Sequence, residues 1–157
     1  MLSARFGHSL DKPLTPLARK IPLHPNVLTL GGFVITIVAA LVIPLNLKLG
    51  GVFILLGGIC DMLDGVLARV NDRATSFGAF LDSLLDRYSD AFLFLSLSWY
   101  LAGSGNHTGA FLSIGTMVGA LLVSYARARG EGLGIQNHAG IMERPERLIL
   151  LILGTLT

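Results

Sequence analysis

Charge is scarce in this chain. Only 14% of its 157 residues are Asp, Glu, Lys or Arg, whereas 52% are hydrophobic; a soluble domain carries about 25% charged residues. The shortage is concentrated: no charged residue stands between Ile21 and Leu47, and none between Ala91 and Ala126. Cysteine is nearly absent, and the single Cys60 excludes an internal disulfide and reads as an apolar filler. His8, His24, His107 and His138 show no metal-ligand spacing, which excludes a zinc site built on histidine or cysteine pairs. With a mean hydropathy of +0.68, these deficits exclude an ordinary soluble domain and point to a membrane protein. The opening MLSARFGHSLDKPLTPLARK is too polar for a signal peptide, and no nucleic-acid partner is expected.

What is present is a series of apolar runs long enough to cross a bilayer, each needing about 20 residues. HPNVLTLGGFVITIVAALVIPL is the first span; the second runs from Leu49 to Val70, the third from Ala74 to Ala102, and the fourth from Ala110 to Arg127, after the turn GSGNHTG. A fifth begins near Ile141 and reaches Thr157 after a run too short to cross, so the chain is expected to continue beyond it. The expected fold is an all-α polytopic helical bundle forming one transmembrane domain over residues 1–157. Within it, residues 1–21 form an amphipathic juxtamembrane segment on an anionic lipid surface, with Pro13 and Pro16 interrupting it. Arginine and lysine gather on one side, at Arg5, Lys12, Arg19, Lys20, Arg69, Arg73, Arg127, Arg129, Arg144 and Arg147, against Lys48 on the other. The positive-inside rule puts that side in the cytoplasm. Trp99 and Tyr100, near the far end of the third span, read as interfacial anchors.

Against this apolar background, CDMLDGVLARVNDRATSFGAFLDSLLDRYSD holds six aspartates. Asp61 and Asp64 share a helix face, and Gly78, Asp82 and Asp86 fall at i, i+4, i+8 on the next helix. The connection between the helices is short, so they are antiparallel neighbours with Asp64 and Asp82 at similar depth. Carboxylates crowded in low dielectric are costly. Divalent cations relieve that cost, and oxygen ligands suit Mg²⁺, Mn²⁺ or Ca²⁺. Two such ions form an established arrangement for displacement at phosphorus. Gly65 and Ala68 leave room beside the acids for a diphosphate, and Arg69 stands one turn from Gly65 to neutralise it. Two other readings of the acids stand beside this one: ion pairing with Arg69, Arg73 and Arg87, and a proton or ion pathway through the bilayer.

The run Asp61-x2-Asp64-Gly65-x2-Ala68-Arg69-x8-Gly78-x3-Asp82-x3-Asp86 resembles the signature of the CDP-alcohol phosphotransferase family at all eight fixed positions. HPNVLT resembles the family's nucleotide-contacting segment. SYARARGEGLG and GIMERPERLILL resemble the members that take inositol phosphate as acceptor. The resemblance implies a homodimer with six spans per subunit in the cell (inner) membrane and an active site toward the cytoplasm. It implies transfer of a substituted phosphate from CDP-diacylglycerol, or CDP-archaeol, to an alcohol with release of CMP. By position it assigns Asp61, Asp64 and Asp82 to a first Mg²⁺ or Mn²⁺ ion and Asp61, Asp82 and Asp86 to a second. Asp86 would also take the proton of the attacking hydroxyl. Pro25, Asn26, Gly65, Arg69, Thr75 and Gly78 would contact the CDP portion.

The acceptor is read from arginines. Arg127 and Arg129 end the fourth span, Arg144 and Arg147 open the fifth, and the short connection lets the four meet around one anion. Guanidinium groups grip phosphate through paired hydrogen bonds, so a phosphorylated alcohol is expected, inositol 1-phosphate first and glycerol 3-phosphate second. Alternatively the cluster serves topology and headgroup contact alone. Two rivals lie outside the family. An intramembrane prenyltransferase would separate its acid motifs widely, whereas these lie close together; a cation transporter would set its acids near the bilayer midplane.

Overall fold

The computed structural model describes residues 23–71, 73–135 and 144–157, and among them every regular element is a helix: α1 (Pro25–Val42), α2 (Leu47–Val70), α3 (Ser76–Gly103), α4 (His107–Gly132) and α5 (Arg144–Leu156). The juxtamembrane segment 1–21 lies outside the described residues. The helix starts follow local chemistry. Pro25 occupies the first turn of α1, where its missing N–H costs nothing, and His24 caps it by accepting from the Asn26 N–H through Nδ1 at 3.3 Å. Asn46, Thr75 and Asn106 cap α2, α3 and α4, accepting from Leu49, Gly78 and Gly109 N–H groups at 3.0, 3.0 and 2.8 Å.

One helix end differs from the sequence expectation. The sequence places the end of the fourth span at about Arg127, but α4 continues to Gly132. The Leu133 N–H donates to Arg129 O, the Ile135 N–H donates to Gly130 O at 2.9 Å, and Gly134 takes a φ of +75°. A left-handed glycine closes a helix cheaply, and it sits here beyond the arginines. Arg127 and Arg129 are therefore interior to the helix.

Helix α1 packs on α2 and α3, α4 on α3, and α5 on α2. Small residues permit the closest approach. A Cβ on Gly32 would stand 3.1 Å from the Cys60 Cβ, and one on Gly57 would stand 2.8 Å from the Thr36 Oγ1, so α1 and α2 meet nearly backbone to backbone. Hydroxyls tie the other seams. Ser96 donates to Ala40 O across α1 and α3, while Ser98 donates to Ala110 O at 3.0 Å and Ser113 to Phe94 O at 2.8 Å across α3 and α4. The core gathers Ala39, Ile43, Ile54, Leu93, Phe94 and Leu151, with Tyr100 packed against it; Tyr100 is thus a core neighbour, while Trp99 is exposed. A smaller cluster of Val66 and Leu67 with Leu28 and Val70 supports the end of α2 nearest the acids.

Large apolar side chains point outward, among them Val34, Leu41, Phe111 and Leu122, as in a protein solvated by lipid. Helices α1, α2 and α4 are each long and apolar enough to cross a membrane. Helix α3 has 28 residues and the length to cross, but it carries Asp82, Asp86, Arg87 and Asp90. Its composition is set by the site it lines. The chain is a multi-pass helical membrane protein.

Candidate active site

Helical periodicity puts the aspartates of each helix on one face, and α2 and α3 both pack on α1. On α2, Asp61 and Asp64 are one turn apart; on α3, Asp82, Asp86 and Asp90 descend one stripe at four-residue intervals. The two helices bring one carboxylate oxygen from each of Asp61, Asp64 and Asp82 within 4.8 Å of one another. Asp64 is buried and its Oδ2 has no hydrogen-bond partner. A buried carboxylate oxygen without a donor is costly, and a hard cation is the ligand that such an oxygen lacks. The donor set is oxygen only, so the residues fit Mg²⁺ or Mn²⁺.

Basic residues enter from a distant part of the chain. Arg144, the first residue of α5, pairs with Asp61 and, at 2.7 Å, with Asp86; its Nε lies 3.6 Å from Asp90. Arg147 Nη2 donates to Asp90 Oδ2 at 2.8 Å. Among the described residues, Asp61, Asp86 and Asp90 make these ion pairs with arginines of α5. Arg87 turns back on its own helix, donating to Ser83 O at 2.6 Å, and the Arg69 guanidinium folds over Gly65, whose Cβ would stand 3.3 Å from Arg69 Nη1.

Two cavities flank the acids. One, of about 180 Å³, is lined by all six residues expected to contact the CDP portion, Pro25, Asn26, Gly65, Arg69, Thr75 and Gly78, together with Asp64 and Asp82. Thr29 and Arg73 line it too; the sequence reading missed them, although Thr29 follows Pro25 by one helical turn. The other cavity, of about 210 Å³, lies between α3, α4 and α5 and is lined by Asp86, Asp90, Ser124, Arg127, Arg144 and Arg147. Three of the four arginines expected to meet do line one space. Arg129 does not: two residues on from Arg127, it sits about 200° around α4 and its side chain is exposed. Asp90 and Ser124 carried no role in the sequence reading; Asp90 could have been found as the next member of the stripe.

A family model described as CDP-alcohol phosphatidyltransferase matches residues 22–156. The chain belongs to the CDP-alcohol phosphatidyltransferase family. It is a transferase, and the prenyltransferase and transporter readings fall away. Among its relatives is the archaetidylinositol phosphate synthase of Methanothermobacter thermautotrophicus, 38% identical over 97% of this chain and 76% of the relative. The phosphatidylinositol phosphate synthase of Mycolicibacterium smegmatis is 34% identical over 92% of this chain and 67% of the relative. The crystal structure of Mycobacterium tuberculosis phosphatidylinositol phosphate synthase with CDP-DAG bound superposes with a TM-score of 0.82 at 34% identity, covering 90% of this chain and 74% of that one. The same enzyme in complex with manganese and citrate matches equally well, with a TM-score of 0.82.

The cavity lined by Gly78 carries one steric prediction. A Cβ on Gly78 would stand 3.0 Å from Asn26 Oδ1 and 3.1 Å from Thr75 Oγ1. Gly78→Ala therefore pushes two lining residues toward the cavity, and overpacking of this kind costs about 1–3 kcal/mol. The KM for a CDP-linked lipid is expected to rise roughly tenfold, with the KM for the acceptor unchanged, in steady-state kinetics of the two substrates.

Proposed function

We propose that this enzyme transfers the phosphatidyl group of CDP-diacylglycerol, or the archaetidyl group of CDP-archaeol, to inositol 1-phosphate, releasing CMP. The observation that carries the reading is the stripe on α3: Asp82 lines the cavity holding the expected nucleotide contacts, and Asp86, one turn away, lines the cavity holding the arginines. Donor and acceptor would meet across a single helical turn. Asp61, Asp64, Asp82 and Asp86 would hold two divalent ions, Mg²⁺ or Mn²⁺, whose charge offsets that of the donor diphosphate as CMP leaves.

The protein's own groups do the rest. Asn26, Thr75 and Arg69 hold the nucleotide end of the donor, and its tails lie among the lipid-facing helices. Arg127, Arg144 and Arg147 grip the acceptor's phosphate and hold its hydroxyl in line. Asp86 accepts the hydroxyl proton. Arg144 pairs with Asp86, so an acceptor phosphate that draws Arg144 toward itself frees that carboxylate for the proton. The arginine-rich side faces the cytoplasm of the cell (inner) membrane, and the enzyme works as a homodimer.

The test is a steady-state titration of inositol 1-phosphate, glycerol 3-phosphate and free inositol against CDP-diacylglycerol with Mg²⁺ or Mn²⁺, following CMP. Inositol 1-phosphate should be used best, and free inositol poorly, because it leaves the arginines without an anion. Arg127→Gln should raise the acceptor KM about 10- to 150-fold, the worth of one charge-assisted hydrogen bond of ~1.5–3 kcal/mol, with the donor KM unchanged. Arg144→Gln should lower kcat as well, since Arg144 also contacts Asp86. Arg129→Gln should change neither. Free inositol matching inositol 1-phosphate would reduce the arginines to a topological role and return the acceptor to an unphosphorylated alcohol.

A further inference from the structure

Asp90 lies outside the signature run and has no part in the chemistry described above, yet among the described residues it is one of the most deeply buried charged ones, 4% exposed. It reaches the arginine-lined cavity from α3 and divides its two oxygens between two arginines of α5. Oδ2 accepts from Arg147 Nη2 at 2.8 Å, and Oδ1 faces Arg144 Nε at 3.6 Å. A carboxylate buried this far is tolerable only with paired cations. Here the pairing is also geometric. Arg144 and Arg147 stand three residues apart on one helix, and long guanidinium side chains have many rotamers to lose on binding a ligand. Asp90, anchored on a different helix, holds Arg147 directly and faces Arg144, whose Nη1 is also held by Asp61 and Asp86, so both guanidinium groups are fixed beside the cavity they line.

We infer that Asp90 is a positioning residue for acceptor recognition: it pre-orients Arg144 and Arg147 as one two-pronged anion clamp opposite Arg127 and thereby sets both affinity and discrimination among phosphorylated alcohols. The inference rests on the acceptor reading proposed above. A purely electrostatic role makes the opposite prediction. Asp90 is a negative charge beside an anion site, and if charge alone mattered, removing it would tighten binding of a phosphate. Pre-organisation says binding weakens, because the arginines must then be ordered by the ligand itself.

The experiment compares wild type, Asp90→Asn, Arg147→Gln and the double variant in steady-state transfer from CDP-diacylglycerol, with CDP-diacylglycerol binding measured on the same preparations. Asp90→Asn should raise the KM for inositol 1-phosphate roughly tenfold or more, narrow its preference over glycerol 3-phosphate, and leave donor binding unchanged. In the Arg147→Gln background the same substitution should add little, because its effect runs through that arginine. An unchanged or lowered acceptor KM in Asp90→Asn, or full additivity with Arg147→Gln, overturns the inference. If Asp90→Asn loses donor binding, Asp90→Glu carries the test: the charge remains but the clamp is displaced, so a raised acceptor KM with donor binding intact supports positioning. Loss of donor binding in both variants makes Asp90 a residue of the fold and overturns it. A wild type that does not saturate with inositol 1-phosphate defeats the acceptor reading and this inference together; a wild type that saturates, beside an unaltered Asp90→Asn, defeats only this inference.

Discussion

Asp64→Asn should abolish transfer while making the metal-free protein no less stable. The two halves of that expectation have one cause. Asp64 is 5% exposed, and its Oδ2 has no hydrogen-bond partner; the ion pairs to Arg144 run from Asp61, Asp86 and Asp90. A charge buried in this way burdens the fold, and a neutral amide of the same shape removes the burden. The same exchange removes a ligand from the cluster of Asp61, Asp64 and Asp82. Loss of charge stabilisation at a metal site is worth several kcal/mol, so at least about a thousandfold in rate is expected. The measurements are CMP release in Mg²⁺ or Mn²⁺, Mn²⁺ binding by equilibrium titration, and melting in chelator. Transfer and Mn²⁺ affinity should fall together while the melting temperature in chelator holds or rises. Near-normal activity would remove Asp64 from the metal site, and a sharply lowered melting temperature would make it a structural partner instead.

Asp86→Asn is the second large effect, and it should separate binding from turnover. Asp86 lines the arginine cavity and not the one that holds the expected nucleotide contacts, so binding of a CDP-linked lipid should survive. A general base contributes about 10²- to 10⁴-fold, and kcat should fall by that order, with a further loss if the second metal assignment to this residue holds. The amide keeps the side chain's size and can still accept from Arg144, so helix α5 should stay docked. Donor binding by direct titration beside single-turnover CMP release distinguishes the cases. Wild-type turnover at neutral pH would send the proton elsewhere, to water.

What sequence reasoning reaches here is the placement of the aspartates and not their partners. Asp61, Asp64, Asp82 and Asp86 could be placed in advance because their spacing is helical and the link between their helices is short. A four-residue interval fixes a face whatever the rest of the chain does. The same local logic gave the spans, whereas the residues expected around the nucleotide came from the resemblance to the family. That logic erred where an end signal lies past the last apolar residue. Gly134 rather than Arg127 marks the end of α4, and once Arg127 and Arg129 are inside a continuous helix, only one of them can face the cavity.

The residues alone thus determined a polytopic helical membrane protein with a carboxylate cluster at matching depth on α2 and α3. Composition, run length and helical period are properties of neighbouring residues and survive any global arrangement. Tertiary structure alone decided what the cluster touches. Arg144 meets Asp61 and Asp86, and Arg147 meets Asp90, through pairs 83 and 57 residues apart in sequence for Arg144–Asp61 and Arg147–Asp90. No local periodicity encodes such a meeting. It follows from how α5 docks against α2, a choice made by the summed packing of Ile54, Leu93, Phe94 and Leu151 in the core, and that docking carries the arginines into the acids.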